Sequence, residues 1–233
     1  MISIIIPVYN QAKSITKTLE SLLIQTYQNF EVIIVNDGST DNLDAVLEKF
    51  LMTVKSGNTF MILRQKNQGA PAARNRGFKE AKGDYLLFCD ADAVLDHRAL
   101  ALMLQTLESQ PEASYVYSSF MWGHKLFKLG PFDAAKLQQG PYIHTMSLIR
   151  RQDFPAAGWD INIKKLQDWD LWLTMLESGH QGYFIDQVLF KVKTGGHISS
   201  WLPAAAYKLL PFLSNVKKYK EAVSIVKAKH NLL

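Results

Sequence analysis

The segment Tyr85-Leu86-Leu87-Phe88-Cys89-Asp90-Ala91-Asp92 joins a run of apolar residues to two aspartates. The apolar part, within 84–89, is predicted to be a buried strand because it is short and follows a glycine that ends a helical pattern. Residues two apart in an extended segment point the same way, so Asp90 and Asp92 make a pair of carboxylates. Hard divalent cations prefer oxygen ligands of this kind. An Asp-x-Asp pattern is common by chance, and its place directly after a buried strand is what gives it weight.

Upstream of this segment, short apolar runs alternate with helical patterns. We predict strands over residues 2–8, 31–35 and 60–64, and helices over 12–25, 42–50 and 70–81. Such alternation is typical of βαβ units, so the sequence predicts an α/β fold with a mostly parallel, doubly wound sheet flanked by helices. Ligands of such sheets bind in the crevice outside the carboxyl ends of the strands.

The second half of the chain has a less regular pattern. We predict a helix over 96–110, a strand over 114–121, a strand over 145–151 that runs into a helix start, a helix over 168–178, and one or two short strands within 182–192. The glycines and the proline of 123–140 predict a loop there. Because the sequence has no internal repeat, we expect a single domain rather than two.

Polar residues follow three of the predicted strands, where ligand sites are expected. The clusters are Pro7-Val8-Tyr9-Asn10, Asn36-Asp37-Gly38-Ser39 and Asp90-Ala91-Asp92. Each cluster alone is explained equally well by turns and helix caps, which favour the same residue types. Their joint occurrence at three strand ends favours one shared crevice.

A further candidate site lies at Asn67-Gln68-Gly69, before the third predicted helix. Small residues at a helix start let a backbone approach a ligand, and Arg74, one turn in, can pair with phosphate. On a surface helix, Arg74 would instead be a solvated charge. Asp37 can accept hydrogen bonds from a base or a ribose, or it can cap the helix that follows it.

Composition places the chain among soluble globular proteins. Of its 233 residues, 48% are hydrophobic and 20% are charged, and Cys89 is the single cysteine. We find neither a signal peptide nor a run of about 18 apolar residues. These features predict a reducing, cytoplasmic setting. The net charge of +5 is concentrated in the last stretch, and no basic, aromatic-interleaved pattern of the RNA-binding kind occurs, so we expect no nucleic-acid partner.

Taken in order, these motifs resemble glycosyltransferase family 2. The resemblance also uses Gln167-Asp168-Trp169-Asp170-Leu171-Trp172 and runs from about residue 3 to residue 199. Each motif is modest alone, whereas five of them in this order are specific. The family implies a GT-A, Rossmann-like fold, a nucleotide-sugar donor, inversion at the anomeric carbon, and Mn²⁺ or Mg²⁺ as the cofactor.

The resemblance implies roles for particular residues. Asp92 is assigned to the metal, with Asp90 nearer to the ribose or behind the metal's own ligands. His197 is a further candidate near the metal or the diphosphate. Donor-binding roles fall on Pro7, Val8, Tyr9, Asp37, Asn67, Gly69, Arg74 and Asp90.

The family's general base is an aspartate at the start of a helix, and the matching residue is Asp168. A carboxylate there can take the proton of the acceptor hydroxyl as its oxygen attacks. The helix macrodipole alone would also favour aspartates at this place. Gln167 and Trp169 are expected on the acceptor side. Gln167 stands where the family usually has Glu, and Lys193 stands where it has His, which puts acceptor choice and rate in question.

The expected division is a GT-A domain over 1–200, with a nucleotide-binding half (1–95) and an acceptor-binding half (96–200). Residues 201–233 are expected to form a basic, amphipathic, helical tail. Such a tail can lie on an anionic membrane surface, which suits a lipid-linked acceptor, or pack on the domain with its lysines in solvent. We therefore expect a cytoplasmic protein, with peripheral contact at the inner face of the membrane as one alternative.

The resemblance predicts transfer of a sugar to a hydroxyl of a glycan or lipid-linked acceptor, in cell-surface polysaccharide or glycolipid synthesis. UDP is the leading nucleotide, and dTDP and GDP are alternatives. A nucleotidyltransferase is one competing function, but the first strand lacks the glycine-rich, basic loop that grips a triphosphate. A catalytically silent nucleotide- or glycan-binding protein is another, suggested by Gln167. No Gly-x-Gly-x-x-Gly follows the first strand, which argues against a dinucleotide oxidoreductase.

Overall fold

The computed structural model describes residues 1–54, 57, 59–193 and 213–232 of the chain. The strands are β1 (Ile2–Val8), β2 (Phe30–Asp37), β3 (Thr59–Gln65), β4 (Tyr85–Phe88), β5 (Ala93–Leu95), β6 (Tyr115–Trp122), β7 (Lys125–Phe127), β8 (Leu148–Arg150) and β9 (Gly182–Val192). The helices are α1 (Ile15–Leu23), α2 (Leu43–Thr53), α3 (Ala70–Glu80), α4 (Ala99–Ser109), α5 (Ala134–Gln139), α6 (Gln167–Glu177) and α7 (Ser214–Lys229). Within these residues one nine-stranded sheet has the order β3-β2-β1-β4-β8-β6-β9-β5, with β7 paired to β6.

The first four strands of the sheet are parallel. β1 pairs with β2 and with β4, and β2 pairs with β3, each in parallel register. Alternate residues of β1 point to opposite faces, so Ile4 and Ile6 pack with α1 and α2 while Ile5 packs with α3. Both faces are thus covered, which is why these strands read as continuous apolar runs. The predicted α/β fold is confirmed.

The second half of the sheet mixes both directions. β8 runs antiparallel to β4 and to β6, β6 runs parallel to β9, and β5 runs antiparallel to β9. The strand predicted over 145–151 is β8 followed by a 3₁₀ turn, Arg151–Asp153. One continuous strand, β9, occupies 182–192, and its pairing with β6 is irregular between Ser118 and Phe120. The parallel arrangement expected from the sequence therefore describes the first half of the sheet.

Residues 123–140 are not the loop that their glycines and proline predicted. They hold β7, which pairs antiparallel with β6, and α5, whose N-cap Asp133 accepts a hydrogen bond from the Lys136 amide at 2.9 Å. The strand has 3 residues and the helix has 6. Elements this short do not complete enough of their period to be recognised in the sequence.

The helical tail expected at the C-terminus is present as α7, and it packs on the domain. Val216, Ala222 and Val226 of α7 are buried, and Val226 belongs to the same apolar cluster as Trp169 of α6. Its exposed lysines include Lys217, Lys218 and Lys220. For residues 213–232, this is the packed-helix alternative; residues 201–212 lie outside the described part. In the described ranges, no helix has the length and apolar character that crossing a bilayer requires.

Close contact between α3 and β1 depends on Gly77. A side-chain carbon at this position would lie 2.5 Å from Ile5 Cγ2 and 3.2 Å from Val35 Cγ2. We expect Gly77→Val to lower the free energy of unfolding by about 1–3 kcal/mol through overpacking, measured by urea denaturation. Gly140→Val is the control, because a side-chain carbon at Gly140 meets nothing within 4 Å. Equal unfolding midpoints for the two variants would contradict this account of α3 packing.

Candidate active site

The turns after β1 and β2 are held together by hydrogen bonds. The Asn10 amide donates to Ser39 Oγ at 3.0 Å, and Asn10 Oδ1 accepts from the Thr40 amide at 2.7 Å. Asn10 has a φ of 53°, a left-handed conformation that Asn tolerates better than most residues. Two of the polar clusters predicted from the sequence therefore meet at the carboxyl edge of the sheet.

Asp37, at the end of β2, organises the turn before α3. Its buried carboxylate accepts three hydrogen bonds. The donors are the Gln68 amide (2.9 Å), the Gly69 amide (2.8 Å) and Gln65 Nε2 (2.8 Å). The neighbouring Gly38 has a φ of +72°, and a side-chain carbon there would lie 2.7 Å from the Asn67 backbone nitrogen. Asp37 thus holds the 67–69 turn against its strand, and the N-cap of α2 is a different residue, Asn42.

Buried polar residues of α1 and the turn after it hold the backbone around Asp90 and Asp92. The contacts are Thr18 Oγ1 to the Ala91 carbonyl (2.9 Å), the Leu95 amide to Ser21 Oγ (3.2 Å), and Gln25 Nε2 to the Asp96 carbonyl (2.7 Å). Each satisfies a backbone group that would otherwise lack water as a partner. The segment that carries the two aspartates is therefore fixed on both sides of Asp92.

The surroundings of Asp92 disfavour its charge. Burial, reinforced by the charge of Asp90, raises the pKa of Asp92 to about 6, and Lys193 offsets this only in part. Asp90 is partly exposed, with 27% of its side chain accessible. A bound cation would relieve the repulsion between the two acids.

Arg74 connects the first half of the chain to the second. Its buried guanidinium donates to Gln167 Oε1 at 2.9 Å through Nη1, and Nη2 lies 3.4 Å from Asp90 Oδ1. The guanidinium carbon lies 4.5 Å from the centroid of the Trp159 ring, a cation–π contact. Nε is buried without a hydrogen-bond partner among the described residues. Arg74 is thus a buried group rather than a solvated surface charge.

Asn75 fixes the segment that covers Arg74. Its Nδ2 donates to the Trp159 carbonyl at 2.8 Å, and its Oδ1 accepts from the Trp159 amide at 2.8 Å. Gly158 has a φ of +73°, and a side-chain carbon there would collide with Asn75 Oδ1. The Trp159 ring is therefore held over the guanidinium by a paired backbone contact.

Gln167 and Asp168 begin α6, directly after Leu166. Leu166 has a φ of 59°, an uncommon conformation for a residue other than glycine. Burial raises the pKa of Asp168, and His144 and Arg74 offset part of this rise. The ionisation of Asp168 therefore depends on groups from both halves of the chain.

Trp169 packs in the core instead of lining the expected acceptor side. Its side chain is fully buried, and its indole Nε1 donates to the Leu137 carbonyl of α5 at 2.6 Å. Trp172, three residues on, is equally buried and donates to the Ile143 carbonyl at 3.1 Å. Because both residues lie on the inner face of α6, the predicted acceptor role of Trp169 is corrected to a structural one.

His144 is a site residue that the sequence motifs did not single out. Its Nε2 lies 3.8 Å from Asp90 Oδ2, and its Nδ1 accepts from the Met146 amide at 3.1 Å. The ring packs between Phe120 and Phe190, with centroids 4.7 and 5.1 Å away. His144 lies between short elements, where no hydrophobic periodicity or motif is present. Only the fact that it is a histidine could have indicated a functional role.

The other residues predicted to bind the nucleotide-sugar donor differ in how much of each is accessible to solvent. Val8 is 1% exposed, so only its backbone can reach a ligand, whereas Tyr9 is 40% exposed. Pro7 is half-buried in β1, and Asn67 is exposed on its turn. His197 lies outside the described residues.

Comparison with protein-family models decides the family. The model described as "Glycosyl transferase family 2" matches residues 3–158, more than half of the chain. The chain belongs to glycosyl transferase family 2. The resemblance seen in the motifs is therefore confirmed.

Relatives from bacteria match along much of the chain. An uncharacterized glycosyltransferase of Rickettsia felis is 28% identical over 234 residues, which covers 94% of this chain and 36% of the relative. The poly-beta-1,6-N-acetyl-D-glucosamine synthase of Staphylococcus aureus is 31% identical over 157 residues, which covers 67% of this chain and 36% of the relative. The chain spans about a third of the length of these relatives.

Solved structures share the fold. S. aureus TarS 1–349 in complex with UDP-GlcNAc has a TM-score of 0.72 at 17% identity, covering 98% of this chain and 71% of TarS 1–349. The mannosyltransferase PcManGT from Pyrobaculum calidifontis, solved with GDP-Man and Mn²⁺, has a TM-score of 0.69 at 17% identity, covering 99% of this chain and 69% of PcManGT. The predicted GT-A fold is confirmed by these likenesses.

The metal that family 2 implies would find oxygen ligands at Asp90 and Asp92. Across the described ranges, no three His, Cys, Asp or Glu side chains gather closely enough to hold an ion by themselves. A cation here would therefore combine the two aspartates with oxygens of a bound diphosphate. The raised pKa of Asp92 indicates an acid whose charge the protein compensates incompletely, so these residues fit a divalent cation.

We expect Mn²⁺ binding to weaken as the pH falls below the Asp92 pKa of about 6. Protons then compete with the metal, and affinity should fall by up to about tenfold per pH unit. Calorimetric titration with Mn²⁺ and UDP from about pH 5 to about pH 7.5 measures this. Asp92→Asn should remove the binding, while Asp186→Asn, an exposed acid of β9, should behave as the parent protein. An affinity that stays constant across this range would rule out Asp92 as the ligand.

Proposed function

We propose that this chain transfers a sugar from a nucleotide diphosphate-sugar to an acceptor hydroxyl, with inversion at the anomeric carbon. The observation that carries the proposal is the set of contacts made by Arg74. It reaches Asp90 on the donor side and Gln167, next to Asp168, on the acceptor side. One guanidinium therefore spans the two halves, 1–95 and 96–200, that the proposal assigns to donor and acceptor.

The donor nucleotide is proposed to bind at the carboxyl edge of β1 and β2. Asp37 and the 67–69 turn would line it together with Pro7 and Tyr9, and the hydrogen bonds within the turn keep its backbone in place before a ligand arrives. UDP is the first choice, because TarS was solved with UDP and with UDP-GlcNAc. GDP is the alternative, because PcManGT was solved with GDP-Man.

Mn²⁺ or Mg²⁺ is proposed to be held by Asp92 with Asp90 beside it. When bound, such a cation neutralises charge that develops on a diphosphate leaving group. Arg74 adds a second positive charge near Asp90, and its contacts with Gln167 and Trp159 fix that charge in advance. A charge that is already oriented costs no rearrangement during the reaction.

Asp168 is the proposed general base. Burial raises its pKa, and a carboxylate with a raised pKa accepts a proton more readily near neutrality. His144 and Arg74 partly offset the rise, which favours the ionised form that can accept the proton. Gln167 is neutral where the family usually has Glu, so Asp168 is the one acid of the pair.

The proposed acceptor is a hydroxyl of a glycan or of a lipid-linked sugar. Similarity to a poly-beta-1,6-N-acetyl-D-glucosamine synthase favours polysaccharide or glycolipid synthesis at the cell surface. A cytoplasmic location near the inner face of the membrane is part of this proposal. The described part of the tail would contact anionic lipid mainly through its exposed lysines, because Val216, Ala222 and Val226 pack on the domain and Ile225 is its one exposed large hydrophobic residue.

We expect Asp168→Asn to lower kcat about 10²- to 10⁴-fold, because the proton acceptor is lost, with donor affinity unchanged. The measurement is release of nucleotide diphosphate from sugar donors, with water or an added glycan as the acceptor. Asp186→Asn is the matched control, since it removes an exposed acid outside the crevice. A parent protein that binds a donor tightly but turns over none would favour the silent binder instead.

We expect one nucleotide diphosphate, UDP first, to raise the thermal midpoint more with Mn²⁺ than without it. A ligand of the native state at about 100 times its Kd stabilises by about 2.7 kcal/mol. A thermal-shift screen of UDP, dTDP and GDP, each with and without Mn²⁺, measures this. Asp92→Asn should lose the metal-dependent part of the shift. A preference for nucleoside triphosphates would point to a nucleotidyltransferase and against a sugar donor.

A further inference from the structure

The end of α7 places a cluster of charged side chains, two of them buried, against α6. Lys229 Nζ lies 2.9 Å from Asp160 Oδ2 and 2.8 Å from Asp170 Oδ1. His230 Nε2 lies 2.9 Å from Asp170 Oδ1, and His230 Nδ1 lies 2.8 Å from Glu177 Oε1. The Asp170 side chain is 4% exposed and that of His230 is 2% exposed. Removing one partner of such a cluster leaves an uncompensated buried charge.

The two acids bound by Lys229 belong to the two segments beside Asp168. Asp160 directly follows Trp159, whose ring covers the buried guanidinium of the candidate site. Asp170 lies in the first turn of α6, two residues after Asp168. A single ammonium therefore links the covering segment to the helix start that carries the proposed base.

We infer that Lys229 and His230, here called the α7 clasp, position Asp168 for proton transfer. The clasp does so by holding the 158–163 segment and the first turn of α6 in one fixed arrangement. Neither of its residues touches the reacting atoms, so they are positioning residues. The inference rests on the proposed function, because it assigns a task to the base named there.

The charges that face the clasp support this role. They are the acids Asp160, Asp170 and Glu177. Burial lowers the pKa of His230, but hydrogen bonds to Asp170 and Glu177 more than offset this and raise it above the ordinary 6.5. Burial also lowers the pKa of Lys229, and its bonds to Asp170 and Asp160 likewise raise it.

The two residues of the clasp differ in their pH dependence. Because the folded-state pKa of His230 is raised, its stabilisation is complete below about 6.5 and is lost as the pH rises through that raised pKa. The ammonium of Lys229 keeps its charge in this range because its ordinary pKa of 10.5 is itself raised. The link between Asp160 and Asp170 is therefore maintained at neutral pH by Lys229, which makes Lys229 the residue to test.

The test compares Lys229→Met with Lys220→Met in the full chain. Lys220 is the matched control, because it is an exposed lysine of the same helix. Hydrogen–deuterium exchange in 158–170 should be about tenfold faster in Lys229→Met, with β1 unchanged. In the same variant, kcat should fall about tenfold or more, with the Kd for UDP unchanged. Lys229→Arg keeps the charge and should recover most of both losses.

Each outcome decides the inference. Unchanged exchange in 158–170 overturns the clasp, and faster exchange with parental kcat reduces it to a structural anchor of α7. If Lys229→Met does not fold, Asp160→Asn is tested in its place. This variant removes the ion pair between Lys229 and Asp160, while Asp170 keeps its contacts with Lys229 and His230. Should the parent protein show no turnover with any sugar donor, the proposed function fails, and the exchange comparison still decides whether Lys229 holds these segments together.

Discussion

The positive charge of a buried guanidinium must be compensated by hydrogen-bond acceptors or negative groups of the protein, and Arg74 carries such a guanidinium. Burial lowers the pKa of Arg74, while the charges of Asp90 and Asp168 act in the opposite direction. Asp90 follows β4, Gln167 begins α6, and Trp159 belongs to the segment before that helix. These three segments cannot separate without leaving a buried charge unmatched. Arg74 therefore joins the two halves of the site, together with the contacts of Asn75 with Trp159 and of His144 with Asp90.

Burial raises the pKa of both acids to which we assign chemistry, Asp92 and Asp168, but their neighbours differ. Asp92 has another carboxylate, Asp90, beside it, and a backbone hydrogen bond together with Lys193 offsets only part of the rise in its pKa. Asp168 has three neighbouring groups that favour its charge, namely His144, the Trp169 amide and Arg74. The protein thus compensates both acids in part, and Asp92 in addition lies beside a second carboxylate with which it could share a cation. Each acid therefore has its own set of compensating groups, which suits the separate roles of metal ligand and proton acceptor that we propose for them.

The first half of the site could be predicted because it is built from strand ends. Parallel strands covered on both faces read as apolar runs, and each run stops at the sheet edge, where Asp37 and Asp90 lie. The second half depends on packing that has no local pattern. Trp169 follows Asp168 in sequence but faces the core, and His144 comes from an irregular stretch. Lys229 meets an acid 59 residues away, a contact that no periodicity indicates.

A polar stripe of α1 and the turn after it, at Thr18, Ser21 and Gln25, is directed inward. These side chains complete the backbone hydrogen bonding of residues 91–96, so the aspartate pair and the helix form one structural unit. If the Asp-Ala-Asp segment were moved to another sheet without this stripe, it would keep its acids. Its buried carbonyl and amide groups would lose their hydrogen-bond partners, with no water to replace them. A search for related sites should therefore require both the aspartates and the three polar residues of the stripe. A chain with aliphatic residues at those three positions would lack the hydrogen bonds that hold the backbone of the segment.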